Sequence, residues 1–445
     1  MTSNVQTQNI GIDPSSNSQS ESRELTYQQI ILASAAIGIA GGLVATAYYY
    51  LLESCLHLVW HTIPHFIEPL FPTKFPSWNY VWIATTIGGF LVGLTLHLMG
   101  LPGEVSFVVD KVHNPGRIEL RQTPAMIVAS LVSITAGGSA GPEAPLVQVN
   151  GSIGGWLGKK LKLSLAATRV LTFCGMSAAL GAFFGAPLGG AIFALEIPHR
   201  RGLEYYEALI PAVLSAILSF AVFKLNTGLT IGGIYHFTAI PKLELWNLVQ
   251  GALLGVAGAL VAVIFVVVFR SIGYLSEYIA HRQILLSTLG GLSIGLIALA
   301  FPQTLFFGEK EIQTIVETGS TFGMTMLLAI ALAKMLAISC TLHSGFRGGF
   351  IFPLFYIGAA VGLAFALAVP QVHPTISMVC MMAAVNVAIT KTPISTSIIL
   401  SVLSDTAMVP VIVIASFVSF LLTTELSMIK TQRSRIQELE NLVSN

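Results

Sequence analysis

Apolar runs recur along almost the whole chain, and glycine or proline cuts many of them short. They lie near 29–52, 79–99, 124–136, 143–158, 168–182, 185–197 and 205–223, then near 244–269, 283–301, 322–341, 349–369, 374–389, 394–404 and 408–428. A helix needs roughly 20 apolar residues to cross a bilayer core of about 30 Å. Several runs fall well below that. A helix ending at membrane depth leaves backbone N–H and C=O groups without water, which is tolerated only where the ends are buried in protein or line a cavity. The pattern predicts an all-α polytopic membrane protein with broken helices around a transport path.

Composition narrows this further. Only 10% of the 445 residues are charged, against roughly 25% in soluble domains. Mean hydropathy is +0.78. Residues 1–24 are polar and lack an apolar run, so they read as a disordered tail rather than a secretory signal. One membrane domain is expected over 25–428, with repeat halves at about 29–223 and 244–428. The stretch 429–445 reads as a short cytoplasmic tail, a brief exposed helix with no attached regulatory domain. A net charge of +1, with basic residues scattered through short loops, gives no sign of a nucleic-acid partner. Cys55, Cys174, Cys340 and Cys380 are isolated in apolar segments and read as small core residues, so no metal and no cofactor is expected. Lys159, Lys160, Lys162, Arg169, Arg200 and Arg201, with Lys430, Arg433 and Arg435, place their loops and both termini on the cytoplasmic side. A bacterial inner membrane or its equivalent is the expected location.

The halves echo each other. Met176-Ser177-Ala178-Ala179 precedes Pro187 and Ile192, and Met382-Ala383-Ala384-Val385 precedes Pro393 and Ile398, all at an offset of 206. Gly141 and Pro145 match Gly349 and Pro353 at an offset of 208. Two copies of a half-domain with broken elements point to a site at the repeat interface.

Two glycine loops carry the chemistry. In Gly138-Ser139-Ala140-Gly141-Pro142-Glu143-Ala144-Pro145, Pro142 suits the first helical position and Glu143 the first turn, facing the positive end of the helix dipole. A helix start of this kind attracts anions without a cationic side chain. Dipoles also allow the weak binding and quick release that conduction requires. His343-Ser344-Gly345-Phe346-Arg347-Gly348-Gly349-Phe350-Ile351-Phe352-Pro353 occupies the matching place in the second half. Two such helix starts facing one point would cage an anion in N–H donors.

These stretches resemble the signatures of the CLC chloride channels and transporters, written GREGP and GxFxP, and Met99-Gly100-Leu101-Pro102 resembles the third, GSGIP. The resemblance runs from about 30 to 425 and suits a divergent prokaryotic-type member, bacterial, cyanobacterial or plastid-like. It implies about eighteen helices in two inverted repeats, and a homodimer in the lipid bilayer with one chloride path per subunit. The departures are informative. The family's gating glutamate falls on Ala140, its serine ligand on Met99, and its inner proton glutamate on Ile197, just after Glu196. The arginine beside the gate falls on Ser139, the GxFxP phenylalanine on Ile351, and the inner tyrosine has no counterpart.

A proton-coupled exchanger needs a group in the path that titrates and moves, and neither Ala140 nor Ile197 can do so. Passive chloride permeation is the expected function. Glu143 reads as the first-turn carboxylate of its own helix; the alternative is a displaced gate serving a chloride/proton exchanger. Nitrate, bicarbonate or fluoride are alternative anions. Arg347 reads equally as a charge at the outer mouth or as a plain loop arginine. His57, His61 and His65, interrupted by Pro64, read as an interfacial helix end anchored by Trp60 and Trp78 rather than a zinc site. The chain contains no HExxH and no GxSxG, so an embedded enzyme is the remote alternative.

Overall fold

The computed structural model describes residues 23–68, 77–100, 103, 105–229, 234–238, 243–404 and 408–433, with side chains of 77–79, Trp78 among them, left aside. Among these the chain is helical, with three isolated backbone bridges and no extended strand. Thr26 caps the first helix by accepting the Gln29 amide, while the Gln29 side chain reaches back to the Thr26 amide. The helices are α1 (Tyr27–His57), α2 (Ile63–Ile67), α3 (Ser77–Met99), α4 (Val105–His113), α5 (Thr123–Thr135), α6 (Glu143–Lys160), α7 (Leu165–Phe184), α8 (Pro187–Glu196) and α9 (Leu209–Thr227). The second half contributes α10 (Leu245–Glu277), α11 (Gln283–Ala300), α12 (Glu309–Thr318), α13 (Gly323–His343), α14 (Ile351–Ala368), α15 (Pro374–Thr390), α16 (Pro393–Leu403) and α17 (Val409–Leu422).

The repeat expected from sequence appears in the packing. In the first half α1 packs on α7 and α9, and α6 on α7; in the second α10 packs on α15 and α17, and α14 on α15. Among the described residues, eight helical stretches are long and apolar enough to cross a membrane. The 33 residues of α10 extend about 50 Å, so it crosses tilted. α8 and α16 are far too short to span. Each opens on a proline, Pro187 or Pro393, whose fixed φ suits a helix start and whose missing N–H removes one donor needing a partner.

Close helix approach rests on small residues, as expected where lipid offers no hydrophobic drive between helices. Gly362 of α14 lies so near α15 that a methyl group there would stand 2.6 Å from Met378 Cα and 2.7 Å from the Ser377 carbonyl oxygen.

The final described stretch differs from the expected exposed helix. Ile429 and Gln432 are buried. Gln432 Nε2 donates to the carbonyls of Ile197 and Thr390 at 2.8 Å each, and Arg433 pairs with Asp110 at 3.0 Å. Unpaired carbonyls at the ends of α8 and α15 need donors, and this segment supplies them. Residues 434–445 and the expected polar tail up to 22 lie outside the described residues.

Gly362→Ala should destabilise the fold by roughly 1–3 kcal/mol through overpacking. The loss should appear as a lower thermal midpoint in detergent-purified protein.

Candidate functional site

α5 ends at Thr135, and Gly137 takes φ +88, a left-handed conformation that glycine adopts freely. The Gly137 and Gly138 amides turn back to the carbonyls of Ile134 and Ser133. The Ser139 amide donates to Thr341 Oγ1 at 3.0 Å, and the Ala140 amide donates to the Gly138 carbonyl at 2.9 Å. In the second half the chain leaves α13 through Gly345, φ +93, and the Arg347 amide donates to Ser133 Oγ at 2.8 Å.

The loops then meet. The Gly141 amide donates to the Gly349 carbonyl at 2.8 Å, and the Gly349 amide donates to the Gly141 carbonyl at 2.6 Å. The amides expected to aim at an anion are thus satisfied by each other. Donors remain in the first turn of α14, and an anion is already there. Glu143 is 1% exposed, and its Oε1 accepts the Phe352 amide at 3.2 Å. Its Oε2 has no hydrogen-bond partner among the described residues and lies where a methyl group on Gly141 or Gly349 would be. Only glycine at both positions leaves room for the carboxylate. Glu143 stands in the first turn of its own helix, as expected, and its oxygen also crosses to the opposite helix start.

Cavities lie on two sides of this junction. The larger, about 520 Å³, is lined by Pro142 and Leu146 of α6, Ala182 and Phe183 of α7, Tyr48 and Trp60, and Phe306 to Glu311. The smaller, about 40 Å³, is lined by Glu143, Ala144 and Val147 of α6, Met176 and Leu180 of α7, Phe193 and Ile197, Gly349 to Ile351, and three valines of α4. Phe352 sits in an aromatic cluster, its ring 5.4 Å from Phe183, 5.8 Å from Phe184 and 6.0 Å from Phe307.

The remaining candidates fall as follows. Phe350, Ile351 and Ile197 line the smaller cavity. Ala140 is buried, with its methyl packed against Gly348. Ser139 is buried with Oγ facing no protein partner. Glu196 accepts the amides of Ile394 at 3.1 Å and Ser395 at 2.9 Å, and the Ser395 hydroxyl, so it caps α16 across the half boundary. Met99 and Gly100 stand at the end of α3; Met99 is exposed, and neither residue lines the two cavities. Leu101 and Pro102 lie outside the described residues. Arg347 is not at a mouth either; it is 6% exposed and lines neither cavity, because its amide anchors the loop to Ser133. Trp60 donates to the Thr135 carbonyl and, with His57 and His61, walls the larger cavity instead of anchoring an interface. Pro64 does not end the helix, since a π-helical turn, Leu58–Thr62, leads into α2.

Lys334 was missed. It is the one charged residue in the run 322–341, and an ionisable side chain at membrane depth is a functional candidate by default. Its Nζ donates to the carbonyls of Thr304, Leu305 and Phe306.

Comparison with known proteins agrees with this architecture. The family model described as voltage gated chloride channel matches residues 88–424. A chloride/fluoride channel protein of Pseudomonas syringae pv. tomato is 29% identical over 79% of this chain and 78% of its own length. The putative ion-transport protein YfeO of Salmonella paratyphi A is 26% identical over 76% of this chain and 80% of its own. Among solved structures, a CLC-type fluoride/proton antiporter superposes with TM-score 0.77 at 22% identity, covering 92% of this chain and all of that one. A slow cyanobacterial chloride/proton antiporter superposes with TM-score 0.79 at 18% identity, covering 95% and 99%. The chain is a multi-pass integral membrane protein of the voltage gated chloride channel family, the CLC family, whose members move small anions.

Proposed function

We propose that this chain is a passive pathway for chloride, gated by the carboxylate of Glu143. The observation that carries the proposal is that a carboxyl side chain is held by the first turn of α14, between two cavities, where a permeating anion would be held. Helix starts bind anions through free N–H groups and the dipole. A carboxylate in that place excludes chloride by occupying its donors and by repulsion. Protonation removes the charge, weakens the hold of the Phe352 amide, and lets the side chain leave.

Uncoupled flow is favoured by the smaller cavity. Apart from Glu143, its lining contains no titratable residue, so a proton released from Glu143 toward that side meets no relay. Ile197 stands at the position where a second carboxylate would serve. Chloride is the proposed ion by family resemblance, with one path in each subunit of a homodimer. The cytoplasmic side is assigned to the basic ends, where the Arg23 amide bonds the Lys162 carbonyl and the Arg200 amide bonds the Arg433 carbonyl. The larger cavity then opens outward.

A second reading is favoured by the same carboxylate: a mobile Glu143 could couple chloride, or fluoride, to protons, as the two antiporters of similar fold do. The experiment is chloride efflux from proteoliposomes with external pH followed at the same time. Passive flow predicts sustained efflux without proton movement. Protons driven uphill by a chloride gradient would overturn it in favour of exchange.

Two variants test the gate. In the parent, efflux should rise as pH falls, because the protonated carboxyl no longer competes for the α14 amides. Glu143→Gln should raise efflux severalfold at neutral pH and remove most of its pH dependence; unchanged efflux and pH profile would return Glu143 to a purely structural role. Gly349→Ala should be destabilising in the parent and much milder beside Glu143→Ala, with coupling of about 0.5–3 kcal/mol in a thermal double-mutant cycle.

A further inference from the structure

Lys334 lies near the middle of α13 and is fully buried. Its Nζ donates to three carbonyls: Phe306 at 2.8 Å, Thr304 at 3.1 Å and Leu305 at 3.3 Å. A neutral amine has two hydrogens, whereas an ammonium has three. Three acceptors on one nitrogen match the three hydrogens of an ammonium. The Tyr356 ring lies beneath it, 5.1 Å from Nζ to the centroid. No carboxylate stands within ion-pair distance among the described residues. Its direct contacts are neutral dipoles, and Glu311 acts on it only through space, without an ion pair.

The field of an ammonium here falls on the approach to the Glu143 cradle. Phe306, whose carbonyl Lys334 holds, lines the larger cavity, and the Phe306 amide donates to the Gly137 carbonyl at 3.3 Å, at the head of the loop that ends in Gly141. Tyr356 is one helical turn along α14 from Phe352, whose amide holds the carboxylate. The visible wall of the cavity does not supply positive potential. Lys224 and Lys310 line it, but so do Glu53, Glu309 and Glu311, and Lys310 pairs with Glu53 at 3.6 Å. With His57, His61 and His236 neutral, two lysines against three carboxylates would discourage an entering anion. Arg347 lines neither cavity.

We propose that Lys334 is the fixed positive charge that gives this path its affinity for chloride and its preference for anions over cations. The proposal rests on the anion path inferred above. It differs from a purely structural role, in which Lys334 only ties residues 304–306 to α13. Low dielectric around a buried charge makes it count over distances at which a surface charge would be screened.

The test compares parent, Lys334→Gln and Lys334→Arg in liposomes, reading the chloride concentration at half-maximal efflux and the reversal potential under a KCl gradient. Gln keeps N–H donors for the loop and loses the charge; Arg keeps both. Lys334→Gln should raise half-saturating chloride by roughly tenfold, the effect of removing one charge about 10 Å away at an effective dielectric near 20, and should move the reversal potential toward zero. Lys334→Arg should stay within about twofold of the parent, since it keeps the positive charge. A Gln variant that matches the parent in both readings overturns the proposal and leaves a structural tie. If the Gln protein does not elute as the parent does, Lys334→Arg decides: parental half-saturation supports the charge, and a tenfold loss despite the retained charge overturns it. A parent that carries no chloride overturns the anion path itself, which distinguishes that failure from this one.

Discussion

The paired hydrogen bonds between Gly141 and Gly349 join the two halves of the chain at the point where α6 and α14 begin. At membrane depth no water satisfies a free amide, and each one left bare costs several kcal/mol. Two loops that both end helices there face the same problem, and each solves it for the other. The pairing also fixes how near the helix starts can come. Because neither residue has a Cβ, the space beside the bridge stays open, and the Glu143 carboxylate fills it. Backbone pairing, glycine and carboxylate form one unit: a side chain at either glycine would expel the carboxylate, and losing the pairing would release both loops.

The repeat explains why only one carboxylate is present at each junction. The offset of 208 puts Ile351 opposite Glu143, and that of 206 puts Val402 opposite Glu196. A carboxylate on both copies would bring two like charges together in a dry place, where each disfavours the other's charged form. Instead the first half supplies both carboxylates and the second half supplies both receiving helix starts, α14 for Glu143 and α16 for Glu196. Duplication made the halves alike; the electrostatics of their contact keeps them different. Glu196, with both oxygens engaged, is a fixed cap. Glu143, with one oxygen unpartnered, is held less firmly.

Much of the architecture was legible in the chain because its causes are local. Glycine and proline mark helix ends wherever they fall, so the broken helices, the repeat and the two loops could be read directly. What escaped depended on crossing between elements. Glu143 obeys the rule for a first-turn carboxylate, and nothing within its own helix says that its oxygen will prefer the Phe352 amide of α14. Arg347 could be read as a mouth charge because it stands in a glycine loop, yet its amide is drawn to Ser133 and it is buried. Met99 aligned with a ligand position but stops at the end of α3. Lys334 carried a usable signal, a lone cation in a long apolar run, but its three acceptors come from a segment about 30 residues away.

Glu143 and Lys334 also complete each other. Both are buried charges that lack an oppositely charged side-chain partner, and each is solvated by backbone: the carboxylate by an amide at a helix start, the ammonium by carbonyls of a turn. Pairing them directly would neutralise both and leave nothing for an anion to sense. Held apart, with Phe307 and Phe352 packed between their elements, they create a gradient. In the proposed path, an anion from the larger cavity would be drawn in by the positive charge and stopped by the negative one until it is discharged. Under that proposal, attraction and gating would be separate functions of separate residues.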